Sequence, residues 1–320
     1  MSVQYNFFFL KNYVDEVIES EKQFSSDEVA EAFQHELRVQ FDDSSFSVLL
    51  MHSGFIPDIY LPDSSSEVLY SKLVEALVVE WAKRMGISAT LIKEKSSRED
   101  VNISIGEKTI VCDAKSFRLS RSQKAPNVKD FVKPEDHRNW MSRYNGAIGG
   151  LVTYPCAHEW ARDSDVYVHC STKETPIVML PYKYLSYFIA NKERFPVDNI
   201  LRLWDYARIF PETLEKGLGG MGNKHSYWSK IDTEIVALTG TTPSMFNVHM
   251  QKANSIIKEC IAQSLNLLEE MKRDILKQVD YRIRNIGEAE LREEFLEFKR
   301  HKETETIDRL ITNIRSHRMT

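Results

Sequence analysis

The sequence predicts an α/β fold, with strands gathered in the middle of the chain and helices on either side of them. Three observations carry this. From Glu67 to about Met85 the apolar residues Val68, Leu69, Leu73, Ala76, Leu77, Trp81 and Met85 recur at helical spacing. After Gly86 the period changes to short alternating runs bounded by turn residues. Beyond about Pro196 the strand signals stop, and a long helical stripe follows: Ile256, Ile257, Cys260, Ile261, Leu265, Leu268, Met271, Ile275 and Val279.

The opening segment reads as helical: Val14, Val17 and Ile18 form a short stripe, and Ser25-Ser26-Asp27-Glu28 has the chemistry of a helix start. Gly54 to Pro62 is an irregular connector, after which Asp63-Ser-Ser-Ser66 caps the helix that Gly86 ends. Ala89–Ile92 is a short strand. Asp100–Ile105 alternates polar and apolar, Gly106-Glu-Lys108 turns the chain, and Thr109–Lys115 returns as the second strand of a hairpin. Further strands are expected at 147–153, 165–170 and 176–180, the last followed by a helix over 182–192. Gly217-Leu-Gly-Gly-Met-Gly222 lacks the preceding strand and following Lys-Ser/Thr of a phosphate cradle and reads as a loop. Leu291, Phe295 and Phe298, then Ile307, Leu310, Ile311 and Ile314, continue the C-terminal helices, whose stripes are expected to pack within the molecule. The pattern divides the chain into a helical segment 1–62, a core 63–195 built around the hairpin, and a helical subdomain 196–320.

Composition narrows the class. Of 320 residues, 42% are hydrophobic and 28% charged, an ordinary globular balance. No run of about 18 apolar residues is present, and the N-terminus has an aromatic cluster without a basic leader, so neither a membrane span nor a signal peptide is expected. Cys112, Cys156, Cys170 and Cys260 are scattered without a metal-ligand spacing, which suits reduced thiols in a cytoplasmic protein. Net charge is −5, but it is unevenly spread. Residues 1–80 hold fifteen acids against four basic residues, whereas 111–145 hold eight basic residues against four acids. A local basic segment in an acidic chain is compatible with nucleic-acid contact, because phosphates respond to the local field.

The chemistry concentrates on the hairpin. Side chains two apart on a strand share a face, so Asp113 and Lys115 point together while Ala114 turns away. Pairing brings Asp100, at the head of the polar face Asp100-Asn102-Ser104, close to Asp113. Two carboxylates with a lysine suit metal-assisted phosphodiester hydrolysis: hard oxygens, with the carbonyl of Ala114, hold Mg²⁺, and the ammonium orients the attacking water. Glu270-Met-Lys272 and Glu297-Phe-Lys299 have the same spacing, but lie in helical segments where such residues diverge.

The run Asp113-Ala-Lys-Ser-Phe-Arg-Leu-Ser-Arg121, followed by Lys129-Asp-Phe131, resembles the motif block of HindIII-type restriction endonucleases. The stretch from Gly54-Phe-Ile-Pro57 through Pro62 to Lys72 is similar to that family's segment before its first core helix, and Val152-Thr-Tyr-Pro155 follows in order. The resemblance covers roughly residues 54–155. It implies a PD-(D/E)xK nuclease core, that is, a mixed sheet flanked by helices. It further implies Mg²⁺ dependence and cleavage of double-stranded DNA at a short palindrome by a homodimer, leaving 5′-phosphate ends. A cognate DNA methyltransferase is expected in the same system. Asp113 and Lys115 match the second acid and the lysine. Asp100 matches the first acid, with Glu99 standing where the general motif has proline and so competing with it; strand alternation favours Asp100. A further acid from the preceding helix is expected, with Glu75 preferred over Glu67 and Glu80.

After the catalytic strand, Ser116, Arg118, Ser120, Arg121 and Lys124 form a polar, basic loop suited to phosphate or guanine contact. Trp140, Trp160, Trp204 and Trp228 are read as core, and His137 and His158 as structural or solvated. Two other classes compete: a repair nuclease of the same fold, and a non-catalytic DNA-binding protein with a nuclease-like core. The intact acid pair and lysine speak against the second.

Overall fold

The computed structural model describes residues 6–20, 23–93, 97–120, 131–155, 171–209 and 224–316, without the side chains of 224–226, 303 and 306–316. It divides into two units, Met1–Ile261 and Ala262–Thr320. The first opens with three helices, α1 (Phe9–Ser20), α2 (Ser26–Gln40) and α3 (Asp43–His52), then a two-residue strand β1 (Phe55–Ile56) and the helix α4 (Ser65–Arg84). Ser25 and Ser64 cap α2 and α4 by accepting from the backbone N–H groups of Glu28 and Glu67. At the far end of α4, Gly86 takes a positive φ of 75°, which lets Ile87 N–H reach back to the Ala82 carbonyl at 2.8 Å.

Helix α4 is buried on nearly every side, through Leu69, Leu73, Val74, Leu77, Val78 and Trp81 among others. It lies between α1 and α2 on one side and the sheet on the other. The sheet is formed by β2 (Ser88–Leu91), β3 (Val101–Ile105), β4 (Lys108–Ala114), β6 (Ala147–Tyr154) and β7 (Ile177–Pro181), in the order β2-β3-β4-β6-β7. The first three strands are antiparallel, and β4, β6 and β7 run parallel, so the sheet is mixed and flanked by helices as expected. A two-residue strand β5 (Phe117–Arg118) pairs in parallel with β1.

Strand β3 shows the predicted alternation, with Val101, Ile103 and Ile105 buried and Asn102 and Ser104 half-buried. Strand β7, although last in the sheet order, is buried at every residue. The strand expected at 165–170 lies outside the described residues, as do Trp160, His158, Cys156, Cys170 and the loop at 217–222. Helix α5 (Pro134–Met141) leads into β6, and α6 (Tyr182–Asn191) follows β7 directly. Two 3₁₀ segments (Lys192–Arg194, Val197–Trp204), α7 (Tyr206–Ile209) and α8 (Lys224–Thr239) follow. Trp140 and Trp204 are buried, Trp228 packs against the core, and Cys112 and Cys260 are buried.

Helix α5 and the second 3₁₀ segment close on β6 at two glycines. A Cβ on Gly150 would stand 2.1 Å from His137 Cδ2, and one on Gly149 would stand 2.3 Å from both the Pro176 carbonyl and Trp204 Cδ1. Trp204 Nε1 meanwhile donates to the Gly150 carbonyl at 2.9 Å. His137, wholly buried, is thus a packing element, in line with its structural reading. Gly150→Ala is expected to cost about 1–3 kcal/mol, because neither the strand nor the ring can give way cheaply. A lowered urea midpoint measures this.

Helix α9 (Pro243–Asn285) belongs to the first unit up to Ile261, where Phe246, Ala253, Ile256, Ile257 and Cys260 are buried. The second unit holds the rest of α9 and α10 (Glu288–Ser316). The expected packing is seen at the start of the stripe, at Ile256, Ile257 and Cys260, whereas none of residues 262–302 whose exposure is described is buried. Leu265, Ile275, Leu276, Val279 and Ile283 are exposed on α9, and Leu291, Phe295 and Phe298 on α10. The apolar repeat forms the helices of this unit, and its described side chains stay exposed there.

Candidate active site

The register of the hairpin builds the site. Val101 pairs with Cys112, so Asp100 and Asp113 are the next residues in line on their strands. Asp100 N–H donates to the Cys112 carbonyl at 3.0 Å, and its Oδ2 accepts from Ala114 N–H at 2.8 Å. Lys115 Nζ stands 2.5 Å from Asp113 Oδ2 and 5.8 Å from the centre of the Phe131 ring, with its side chain 19% exposed. The strand end is held from two sides: Lys115 N–H donates to the Thr153 carbonyl of β6, and Tyr182 Oη donates to the Lys115 carbonyl, both at 2.8 Å. Asp113 and Lys115 therefore share one face, as strand parity requires.

Glu75 of α4 adds a third acid, on which the charge of Asp113 acts and which in turn acts on Asp100. Burial pushes its carboxyl up to about 7, opposed by Lys72 and reinforced by the negative charge of Asp113. Asp100 is likewise raised well above the usual carboxylate range, by burial first and then by Asp113 and Glu75. The alternatives on the same helix are committed elsewhere. Glu67 pairs with Arg118 at 2.9 Å, and the buried Glu80 pairs with Arg84 at 3.0 Å and Arg38 at 3.1 Å. Glu99, the rival of Asp100, is buried against Arg98 and takes a hydrogen bond from Tyr144. Adjacent acids thus serve two different networks. A cleft of about 700 Å³ reaches Glu75 and Asp100 of the cluster and is lined also by Asp27, Lys72, Arg98 and Ser116, while Asp113 and Lys115 do not line it.

The donor set fits a hard divalent cation. Among the described residues no three acid, histidine or cysteine side chains are already drawn into a cage. Yet Asp113 Oδ2 and Glu75 Oε2 are shielded from water with only a lysine ammonium described beside each, Lys115 at 2.5 Å and Lys72 at 2.9 Å, and the charge of Asp113 raises the proton affinity of both Glu75 and Asp100. A bound cation would relieve both conditions. A pH dependence follows. Glu75 binds a proton more tightly folded than unfolded, so the metal-free protein loses stability as pH rises from about 4.5 to about 7 and loses no more above that. Glu75→Gln is therefore expected to leave metal-free stability unchanged near pH 4 and to raise it by up to about 3 kcal/mol at pH 8. Thermal melts in a chelator at both pH values read the crossover.

The loop residues are engaged within the chain. Ser116 Oγ bonds Ser71 Oγ at 2.8 Å, and Ser120 Oγ donates to Asp58 at 2.6 Å. Arg118 meets Glu67 and donates to the carbonyls of Tyr60 and Pro57. Arg121 and Lys124 lie outside the described residues. Sequence reasoning overlooked Lys72, which faces Glu75 one helical turn away, and Tyr182. The i,i+3 spacing of Lys72 and Glu75 was a visible signal; the Tyr182 contact spans 67 residues and had none.

Comparison with known proteins gives the family. The chain is 23% identical over 274 residues to the type II restriction enzyme HindIII of Haemophilus influenzae (strain ATCC 51907 / DSM 11121 / KW20 / Rd), covering 84% of each chain. The HindIII restriction endonuclease profile matches residues 11–304. With nearly its whole length matched and an acid pair and lysine at the head of the hairpin, the chain belongs to the HindIII restriction endonuclease family.

Proposed function

We propose that this restriction endonuclease is a Mg²⁺-dependent type II site-specific deoxyribonuclease that cuts double-stranded DNA at a short palindrome and leaves 5′-phosphate ends. The observation that carries the reading is the convergence of Asp100, Asp113 and Lys115 at one end of β3 and β4. Asp100, Asp113 and the Ala114 carbonyl would hold the metal, with Glu75 as the further acid. Mg²⁺ supplies activation of water and neutralisation of charge developing on phosphorus. Lys115 holds the attacking water in line with the bond to the 3′-oxygen and stabilises the phosphate oxyanion. The slow step is entered with Lys115 already restrained by Asp113 and by the two hydrogen bonds at its backbone. Within this reading the core 63–195 carries the chemistry, while 1–62 and 196–320 flank it.

A palindromic target calls for a two-fold partner, and we assign a homodimer. The exposed stripe Leu265, Ile275, Val279 and Ile283 on α9 supports it, as a surface of the kind a second copy would cover. Phosphate and base contacts fall to the basic loop after β4, where Arg121 and Lys124 lie, together with Ser116, Arg118 and Ser120 if the loop rearranges on DNA. The enzyme would act in the cytoplasm beside a cognate DNA methyltransferase that protects the same site. No helix among the described residues is long and apolar enough to cross a membrane. Incubating the full chain with unmodified plasmid and Mg²⁺ tests the reading. Discrete fragments ending in one sequence with 5′-phosphates are expected, from a protein that sediments as a dimer. Cutting that follows DNA structure instead of sequence would favour a repair nuclease.

A further inference from the structure

The cluster contains a second lysine that the proposed chemistry does not use. Lys72 Nζ lies 2.9 Å from Glu75 Oε2 and 3.5 Å from Asp27 Oδ1 of α2, and it donates to the Ile92 carbonyl at 2.9 Å. Its side chain is 16% exposed, in contrast to Lys93 in the same cleft, which is 60% exposed and pairs with Glu31. Oxygens from three separate elements therefore hold a largely desolvated ammonium beside the further acid of the metal site. Such a pair is costly to bury, and replacing it with apolar groups is often neutral or better for stability. Charge balance suggests what it does. When all four are ionised, Asp27, Glu75, Asp100 and Asp113 carry two more negative charges than the ammoniums of Lys72 and Lys115 offset. One divalent cation supplies that difference.

We propose that Lys72 is a built-in counter-cation of Glu75 that shifts toward Asp27 when a divalent metal enters, and so sets the affinity of the site for metal. The inference rests on the reading of Asp100, Asp113 and Glu75 as metal-holding acids. Lys72 occupies Glu75 in the metal-free protein, and the metal must compete for that oxygen. Asp27 and the Ile92 carbonyl give the displaced ammonium a place to remain, so it need not be expelled into solvent. Lys72 is then a positioning residue for the metal-binding acid and makes no contact with the reacting phosphate.

The probe is Mn²⁺ alone, titrated calorimetrically into the metal-depleted full chain. Lys72→Met is expected to bind it roughly tenfold more tightly, since a competing positive charge has gone. The metal-free variant should melt below wild type, and saturating Mn²⁺ should close the gap. Lys72→Arg keeps the charge and is expected to stay near wild type, as is Lys93→Met. In a Glu75→Gln background, Lys72→Met should change the affinity by less than about twofold, because the competition is for Glu75. Affinity unchanged or weaker in Lys72→Met, or an equal gain with Glu75 already removed, overturns the assignment while leaving the metal site standing. Absence of any Mn²⁺ binding that Asp113→Asn abolishes overturns the assignment and the metal-site reading together.

Discussion

Lys115→Ala is expected to lower the single-turnover rate of DNA cleavage by about 10²–10⁴-fold while leaving DNA affinity within a few-fold of wild type. The reasoning is geometric. The Lys115 ammonium points from the strand end beside Asp113, and the carbonyl and N–H of the same residue are fixed by Tyr182 and Thr153, so its position owes nothing to a flexible loop. Interactions made most strongly in the transition state affect rate and not binding. The substitution also leaves Asp113 Oδ2, shielded from water, without its ion-pair partner. A loss of about 1–3 kcal/mol in metal-free stability should accompany the loss of rate. Cleavage should therefore be measured well below the melting temperature, with DNA affinity read by gel shift in Ca²⁺. Wild-type cleavage by this variant would remove lysine from the mechanism.

Two adjacent acids are expected to behave oppositely. Asp100→Asn should reduce cleavage by at least about 10²-fold, because Asp100 faces the Asp113 strand end and its carboxylate would hold the metal. Glu99→Gln should leave the cleavage rate within about tenfold of wild type and lower thermal stability instead. Its carboxylate is buried against Arg98 and Tyr144, a network that Arg98 Nη2 closes by donating to Tyr144 Oη at 2.9 Å. Rate and melting temperature, measured on both variants, separate the roles. A collapse of rate in Glu99→Gln with activity preserved in Asp100→Asn would show that the hairpin register misassigns the first acid.

What was legible in the sequence was local. The cap at Ser64, the stop at Gly86, the hairpin turn and the shared face of Asp113 and Lys115 all depend on residues a few positions apart, and the structure has each of them. The choice of Glu75 over Glu67 and Glu80 could be stated but not settled, because it depends on where Arg118, Arg38 and Arg84 reach. The Glu67–Arg118 pair spans 51 residues. The same long-range pairing is why Ser116, Arg118 and Ser120, read from the sequence as a DNA-contacting loop, gave no sign that they also tie the end of β4 to α4 and the connector at 57–60. The C-terminal stripe misled for a different reason. An apolar repeat shows that a helix has a face to bury, but not whether the covering surface comes from the same chain.

Asp100, Asp113 and Lys115 are proposed to form a metal-dependent phosphodiesterase site. The most direct test is single-turnover cleavage of a duplex carrying the mapped site, in Mg²⁺ and in chelator, by the wild-type chain and by Asp113→Asn. Cleavage by the wild type in Mg²⁺, none in chelator, and a fall of at least about 10³-fold in Asp113→Asn are predicted. Cleavage that persists in chelator, or wild-type cleavage by Asp113→Asn, would contradict it.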